Sequence, residues 1–176
     1  MILSGREIKR QLGKGLNIYP FREEQLNPNS YNLKLGNELL VYTEPVLDLK
    51  EDNKYRLISI PTTGCLLLPG ELYLGSTIER TETNNFVPML EGRSSLGRLG
   101  LSIHITAGFG DVGFKGRWTL EMSVVKPIII YPGIEICQIY YHSIQGKHFS
   151  YDGGKYQDSY KVESSKMFKE LQKIKN

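Results

Sequence analysis

Apolar positions along the chain follow two periods, and the change from one to the other divides it. Near the N-terminus Ile8 and Leu12 lie four apart, behind Ser4 and Glu7 at capping-box spacing and ahead of Gly13 and Gly15. This predicts a short amphipathic helix stopped by glycine. Asn27-Pro28-Asn29-Ser30 is a turn, and from there the pattern alternates. Residues 31–42, 55–60, 64–68, 71–77, 118–125, 128–131 and 134–142 read as strands, bounded by polar residues 51–54 and the turns Pro69-Gly70 and Pro132-Gly133. Strand signals this closely spaced predict an antiparallel sandwich or barrel-like all-β fold. Residues 151–160 are rich in Gly, Tyr and Asp and read as a loop or arm. Met167, Phe168, Leu171 and Ile174 recur at helical spacing and predict a final short helix docked on its own domain. Neither a repeat nor a linker interrupts residues 1–176, so one domain is expected.

Composition sharpens this picture. The 18 Gly, 8 Pro and 11 Tyr among 176 residues suit a turn-rich β fold. The net charge of +3 comes from scattered Lys and Arg; it fits a small anionic ligand and gives no basis for nucleic-acid binding. No run reaches the ~18 apolar residues of a membrane span, and the N-terminal residues lack a signal peptide's apolar stretch. Cys65 and Cys137 sit in apolar runs and are expected as buried free thiols, which suits a reducing cytoplasm.

The candidate chemistry lies between Glu91 and Glu121. Gly92-Arg93-Ser94-Ser95-Leu96-Gly97-Arg98 brings two guanidiniums, two hydroxyls and flexible backbone together. Those groups suit a polyphosphate, though a solvated turn explains them equally well. The segment lacks the Gly-Lys-Ser/Thr of a P-loop. From Gly108 to Gly116, four glycines let backbone approach a flat ligand, with Phe109 or Phe114 to stack and Asp111 to accept from a sugar hydroxyl. The competing reading is a β-turn whose Asp caps its own backbone. In Trp118-Thr119-Leu120-Glu121-Met122-Ser123-Val124, alternation puts Trp118, Leu120, Met122 and Val124 on one face and Thr119, Glu121 and Ser123 on the other. A carboxylate there is either exposed on a half-solvated strand or held in a partly dry pocket, where burial readies a carboxyl for proton transfer near neutral pH. The three histidines show no ligand spacing, and the zinc-deaminase signature H-x-E followed by P-C-x-x-C is absent. His104 reads as a satisfied strand histidine.

Taken together, residues 92–101, Thr106-Ala107, Asp111, Gly113-Phe114 and Thr119-Leu120-Glu121 resemble the dCTP deaminase branch of the dUTPase superfamily. Flanking segments extend the likeness over nearly the whole chain: Met1-Ile2-Leu3-Ser4, residues 29–36, residues 134–138 and Gly154-Lys155-Tyr156-Gln157. The resemblance implies a distorted jelly-roll, a homotrimer with active sites between subunits, and Mg²⁺ accompanying the triphosphate, with no zinc. It implies conversion of dCTP to dUTP and ammonia, supplying dUTP or dUMP for dTMP synthesis, in the cytoplasm, with dTTP as a feedback inhibitor. Glu121 would take a proton from the water that attacks C4 of cytosine. Ser94, Arg98 and the Ala107 backbone would organise the site. Arg93, Ser94, Ser95, Leu96, Gly97 and Arg98 would meet the phosphates, Asp111 the 3′-hydroxyl, and the backbone of Thr119 and Leu120 the pyrimidine. Gln138, Tyr151 and Lys155 would contact the triphosphate or belong to a closing arm.

Three positions depart from the family pattern: Ser159, where a Gln contact is expected; Arg117, where an uncharged residue is expected; and Gly108-Phe109, where the enterobacterial type has His and a basic residue. Some relatives go on to cleave the triphosphate, giving dUMP and diphosphate, and that outcome stays open here. So do a plain dUTPase and a nucleotide-sensing module without turnover.

Overall fold

Ser4 caps the first helix, α1 (Gly5–Gln11), its Oγ accepting the backbone N–H of Glu7 at 3.2 Å. Only this half of the capping box forms, because the Glu7 carboxylate instead accepts from Arg10 and Gln11. Ile8 is fully buried and anchors the helix on the core. The computed structural model describes residues 1–173, so Ile174, expected to complete the last helix, lies outside the described residues.

Beyond α1 the chain is mostly strand. In order come β1 (Leu16–Tyr19), β2 (Tyr31–Tyr42), β3 (Tyr55–Ser59), β4 (Cys65–Leu67), β5 (Tyr73–Thr77), β6 (Arg80–Thr83) and β7 (Phe86–Gly92). A single helical turn, α2 (Ser94–Gly97), leads to β8 (Leu101–Ile103), β9 (Lys115–Gly116), β10 (Thr119–Val124), β11 (Ile128–Ile130), β12 (Glu135–Ser143) and α3 (Met167–Lys173). Seven of these strands match the runs expected from alternation to within two residues. Five do not announce themselves: β1, β6, β7, β8 and β9. In β6 the inward residues are Thr81 and Thr83, both buried, so the strand has an interior face without aliphatic side chains.

The main sheet has the order β7-β12-β2-β5-β10-β8, with β3 also paired to β2. Every pair in it is antiparallel. β2 makes the corner: its first half pairs with β12 and its second half with β5 and β3. The register shifts between Leu35 and Leu39, and there a Cβ on Gly36 would stand 3.1 Å from the Ser76 carbonyl oxygen. The end strands β7 and β8 lie against each other, so the sheet nearly closes on itself. Two smaller sheets, β1-β6-β9 and β4-β11, complete the distorted jelly-roll. The architecture is mainly β with a short helix near each end, as the sequence pattern implies.

Leu33, Leu35, Leu39, Leu120, Met122 and Ile139 fill the interior with no exposed surface. Every residue of β5 is buried, and a Cβ on Gly75 would meet Leu35 Cδ1 and Met122 Cε at 2.9 Å each. Cys137 is fully buried, and burial pushes its thiol pKa up. Cys65 is only half-buried, contrary to the expectation from its apolar run: it packs against the edge of the main core, which Leu67 of the same strand enters fully.

Candidate active site

β10 does what its alternation predicts. Leu120, Met122 and Val124 point into the core, and Thr119 and Glu121 face a cleft of about 530 Å³. That size suits a small organic ligand. The walls come from four regions: Tyr42 and Leu74 of β2 and β5, residues 104–111, the Arg117–Glu121 stretch, and the chain after Tyr151. The Glu121 side chain is 39% exposed, with Oε2 shielded from solvent.

His104 stands opposite Glu121. It follows β8, which pairs with β10 in the register Met122↔Ile103, and its own N–H donates to the Glu121 carbonyl at 2.9 Å. Its backbone adopts φ 55°, the left-handed region that non-glycine residues seldom enter. That turn sends the imidazole inward, where the residue is 8% exposed and its ring meets Trp118 edge to face at 6.3 Å. Nδ1 lies 2.5 Å from Glu121 Oε2, although the approach is too oblique for standard hydrogen-bond geometry. Nε2 is buried with no partner among the described residues. The expectation of a satisfied strand histidine is therefore corrected. No spacing reveals this pair, because the strand register creates it.

Trp118 forms the cleft's inner wall. Its Nε1 donates to Thr81 Oγ1 at 2.8 Å, its N–H to Thr77 Oγ1 at 3.0 Å, and its ring packs on Phe114 at 4.6 Å. Of the two readings the sequence left for the glycines of residues 108–116, close packing within the protein accounts for them: each of Gly108, Gly110 and Gly113 lies against other protein atoms. A Cβ on Gly108 would meet the Leu90 carbonyl oxygen at 2.6 Å. One on Gly110 would meet Trp118 Cη2 at 2.4 Å, and one on Gly113 the Ser150 Oγ at 2.2 Å. Backbone bonds from Leu90 N–H to the Gly108 carbonyl (2.7 Å) and from Gly110 N–H to the Pro88 carbonyl (2.9 Å) fix this loop along β7. Gly110→Ala is expected to cost about 1–3 kcal/mol through overpacking against Trp118 and Pro88, read as a lower urea midpoint at unchanged slope.

Of the residues singled out by sequence, Ala107, Asp111, Thr119, Glu121 and Tyr151 line the cleft. Asp111 is exposed and its carboxylate has no partner among the described residues, so it does not cap its own loop through its side chain. Leu120 sends its side chain fully into the core, which leaves only its backbone to face a ligand.

Arg93, Ser94, Ser95, Leu96, Gly97 and Arg98 do not line this cleft. They form α2 and its flanks beyond the far end of β8, as an ordered helical turn and not the flexible glycine loop expected. Arg93 Nη1 lies 3.0 Å from both the Glu135 carboxylate and the Glu135 carbonyl oxygen. Ser94, Ser95 and Arg98 are exposed. Gln138 is also engaged elsewhere: its Oε1 accepts from Ser30 Oγ at 2.9 Å and its Nε2 donates to the Gly92 carbonyl at 3.3 Å. Lys155 pairs with Glu170 of α3.

The sequence pattern did not single out Tyr42, Leu72, Leu74, Trp118, Tyr156 or Glu163 as cleft residues. Glu163 arrives late in the chain, and its N–H donates to Thr119 Oγ1 at 3.1 Å. Only tertiary contact brings it there.

Fold and cleft together define a β-barrel-like protein that offers a small polar ligand a carboxylate braced by an imidazole. Comparison with known proteins narrows that class. A family model described as dCTP deaminase-like matches residues 2–144. A protein of Hathewaya histolytica named "dCTP deaminase, dUMP-forming" is 63% identical over 172 residues, covering 98% of this chain and 100% of the relative. Its namesake in Clostridium acetobutylicum is 61% identical over 171 residues, covering 97% and 99%. The chain belongs to the dCTP deaminase-like family. The crystal structure of 2′-deoxycytidine 5′-triphosphate deaminase from Agrobacterium tumefaciens shares the fold, with a TM-score of 0.65 at 19% identity over 81% of this chain. This chain spans about half of that protein, 48% of its length.

Proposed function

We propose that this protein deaminates dCTP and carries the product on to dUMP and diphosphate. The observation that carries the reading is Glu121, aimed into the cleft from the paired strand β10 and held against His104 Nδ1 at 2.5 Å. Relatives more than 60% identical over nearly the full chain, both named as dUMP-forming, support the second step.

In the first step water adds to C4 of the cytosine ring while the Glu121 carboxylate takes its proton and passes it to N3. The hydroxyl of the tetrahedral intermediate then loses its proton as C4–N breaks and the amine leaves as ammonia, with Glu121 again moving the proton. His104 fixes the carboxylate's direction. In the second step water attacks the α-phosphorus and diphosphate leaves. Mg²⁺ enters as part of the substrate, bound by phosphate oxygens, as its hard oxygen preference suits. Zinc has no assigned role, since the His and Cys signature that holds it in zinc deaminases is absent from the sequence.

The remaining site residues belong to the same proposal. Asp111 accepts from the deoxyribose 3′-hydroxyl, the backbone of Ala107, Thr119 and Leu120 meets the base, and Tyr151 flanks the sugar and phosphates. Ser94 and Arg98 complete the site from another copy of the chain in a homotrimer. The separation of α2 from its own cleft supports that reading, as do the exposed Leu66, Leu68 and Ile129 on β4-β11. The dUMP formed would feed dTMP synthesis in the cytoplasm, with dTTP as the end-product inhibitor.

One assay tests the reaction: incubation with Mg²⁺ and either dCTP or dUTP, followed by separation of the products. Ammonia, dUMP and diphosphate from dCTP are expected. Accumulation of dUTP would restrict the protein to the first step, and turnover of dUTP alone would make it a dUTPase.

A further inference from the structure

The part of the cleft that one chain supplies is short of positive charge for the ligand proposed for it. Three carboxylates line it, Asp111, Glu121 and Glu163, and Arg117 is its only Arg or Lys among the described residues. The nearby lysines are committed: Lys155 pairs with Glu170, and Lys166 pairs with Glu163 and donates to the Lys155 carbonyl at 2.7 Å. The Arg117 guanidinium has no hydrogen bond or ion pair among the described residues, although its backbone is firmly held, N–H to the Ser159 carbonyl at 2.8 Å. Ser159 itself offers nothing to a ligand. It is 4% exposed and its hydroxyl donates to the Lys161 carbonyl at 3.1 Å.

Arg117 is also in line with the reacting end. Strand pairing continues past the start of β10, with Thr77 N–H donating to the Trp118 carbonyl at 2.9 Å. Arg117, Thr119 and Glu121 all line the cleft, and four residues of extended chain would put Arg117 about 13 Å from Glu121. An extended nucleotide with its base at Glu121 has its outer phosphates, not its sugar, at that reach. A guanidinium presents a planar fork of donors that matches phosphate oxygens.

We propose that Arg117 binds the phosphate chain beyond the first phosphate and so sets the preference for a triphosphate over a monophosphate. This rests on the nucleotide reading given above and adds a residue to it.

The test is equilibrium binding of dCTP and of dCMP, with Mg²⁺, to the wild type, Arg117→Gln and Arg117→Lys. Loss of one charge-assisted contact is expected to weaken dCTP about tenfold or more in Arg117→Gln and to leave dCMP within about twofold, with Arg117→Lys, which keeps the charge without the planar fork, recovering only part of the loss. An unchanged dCTP Kd in Arg117→Gln overturns the proposal. So does equal weakening of both nucleotides, which a merely structural role would give. Ammonia release by the wild type is read in parallel and separates the two ideas. A wild type that binds dCTP without releasing ammonia sinks the deaminase reading and leaves the Arg117 contrast decisive. One that binds neither nucleotide overturns both.

Discussion

Glu121→Gln is expected to lower the rate of ammonia release from dCTP by about 10²–10⁴-fold, the range for removal of a general acid–base group. The amide is nearly isosteric and still fits beside His104, so the cleft keeps its shape and dCTP binding should persist. It cannot cycle a proton between water, N3 and the leaving amine. The measurement pairs turnover with equilibrium binding in the same preparation. Retained ammonia release with normal binding would remove Glu121 from its assigned role; loss of both would show only that the cleft had collapsed. The two readouts matter because Glu121 and His104 share a backbone hydrogen bond as well as the side-chain contact, so damage to one strand end reaches both.

Trp118→Ala is expected to cost about 3–5 kcal/mol of stability, the range for deleting a large buried aromatic. Three terms act together. The indole leaves a cavity between Phe114, His104 and Gly110; Thr81 Oγ1 loses its donor; and the His104 ring loses the edge-to-face contact that helps hold it. Denaturation followed by circular dichroism measures the loss. Trp118→Phe, which keeps most of the ring area but not the N–H, is expected to fall between the wild type and Ala. If Trp118→Ala lost less than about 1 kcal/mol, the site would have collapsed around the gap and the indole would not be the wall described here.

What the sequence made legible follows from where each signal lives. The inward and outward parity of β10 is a local property of six residues, so Leu120 and Met122 in the core and Glu121 on the opposite face were readable before any fold was known, whereas the cleft over Glu121 was not. The ends of α1 were readable for the same reason. The short strands were not. β9 has two residues, and β6 hides behind buried threonines, so neither carries the aliphatic alternation that marks a strand. The His104–Glu121 contact depends on the β8-β10 register, and Glu163 on a chain return over 44 residues to Thr119. Such long-range pairings leave no trace in local spacing. The Arg93–Arg98 segment was readable as a cluster of guanidiniums and hydroxyls, yet composition could not say that it would fold as a helical turn outside its own cleft. The glycines of residues 108–116 left two readings open for a physical reason: a missing Cβ permits close approach, and it is silent on whether ligand or protein does the approaching.

Trp118 is the chain's single tryptophan. Its indole is buried, tied by one hydrogen bond to Thr81 Oγ1, and forms part of the surface that an occupant of the cleft would touch. All near-ultraviolet emission from indole in this protein therefore originates at one address. In the folded protein, changes in its intensity or wavelength on adding a ligand report from the cleft wall, so the molecule carries its own optical probe and needs no added dye.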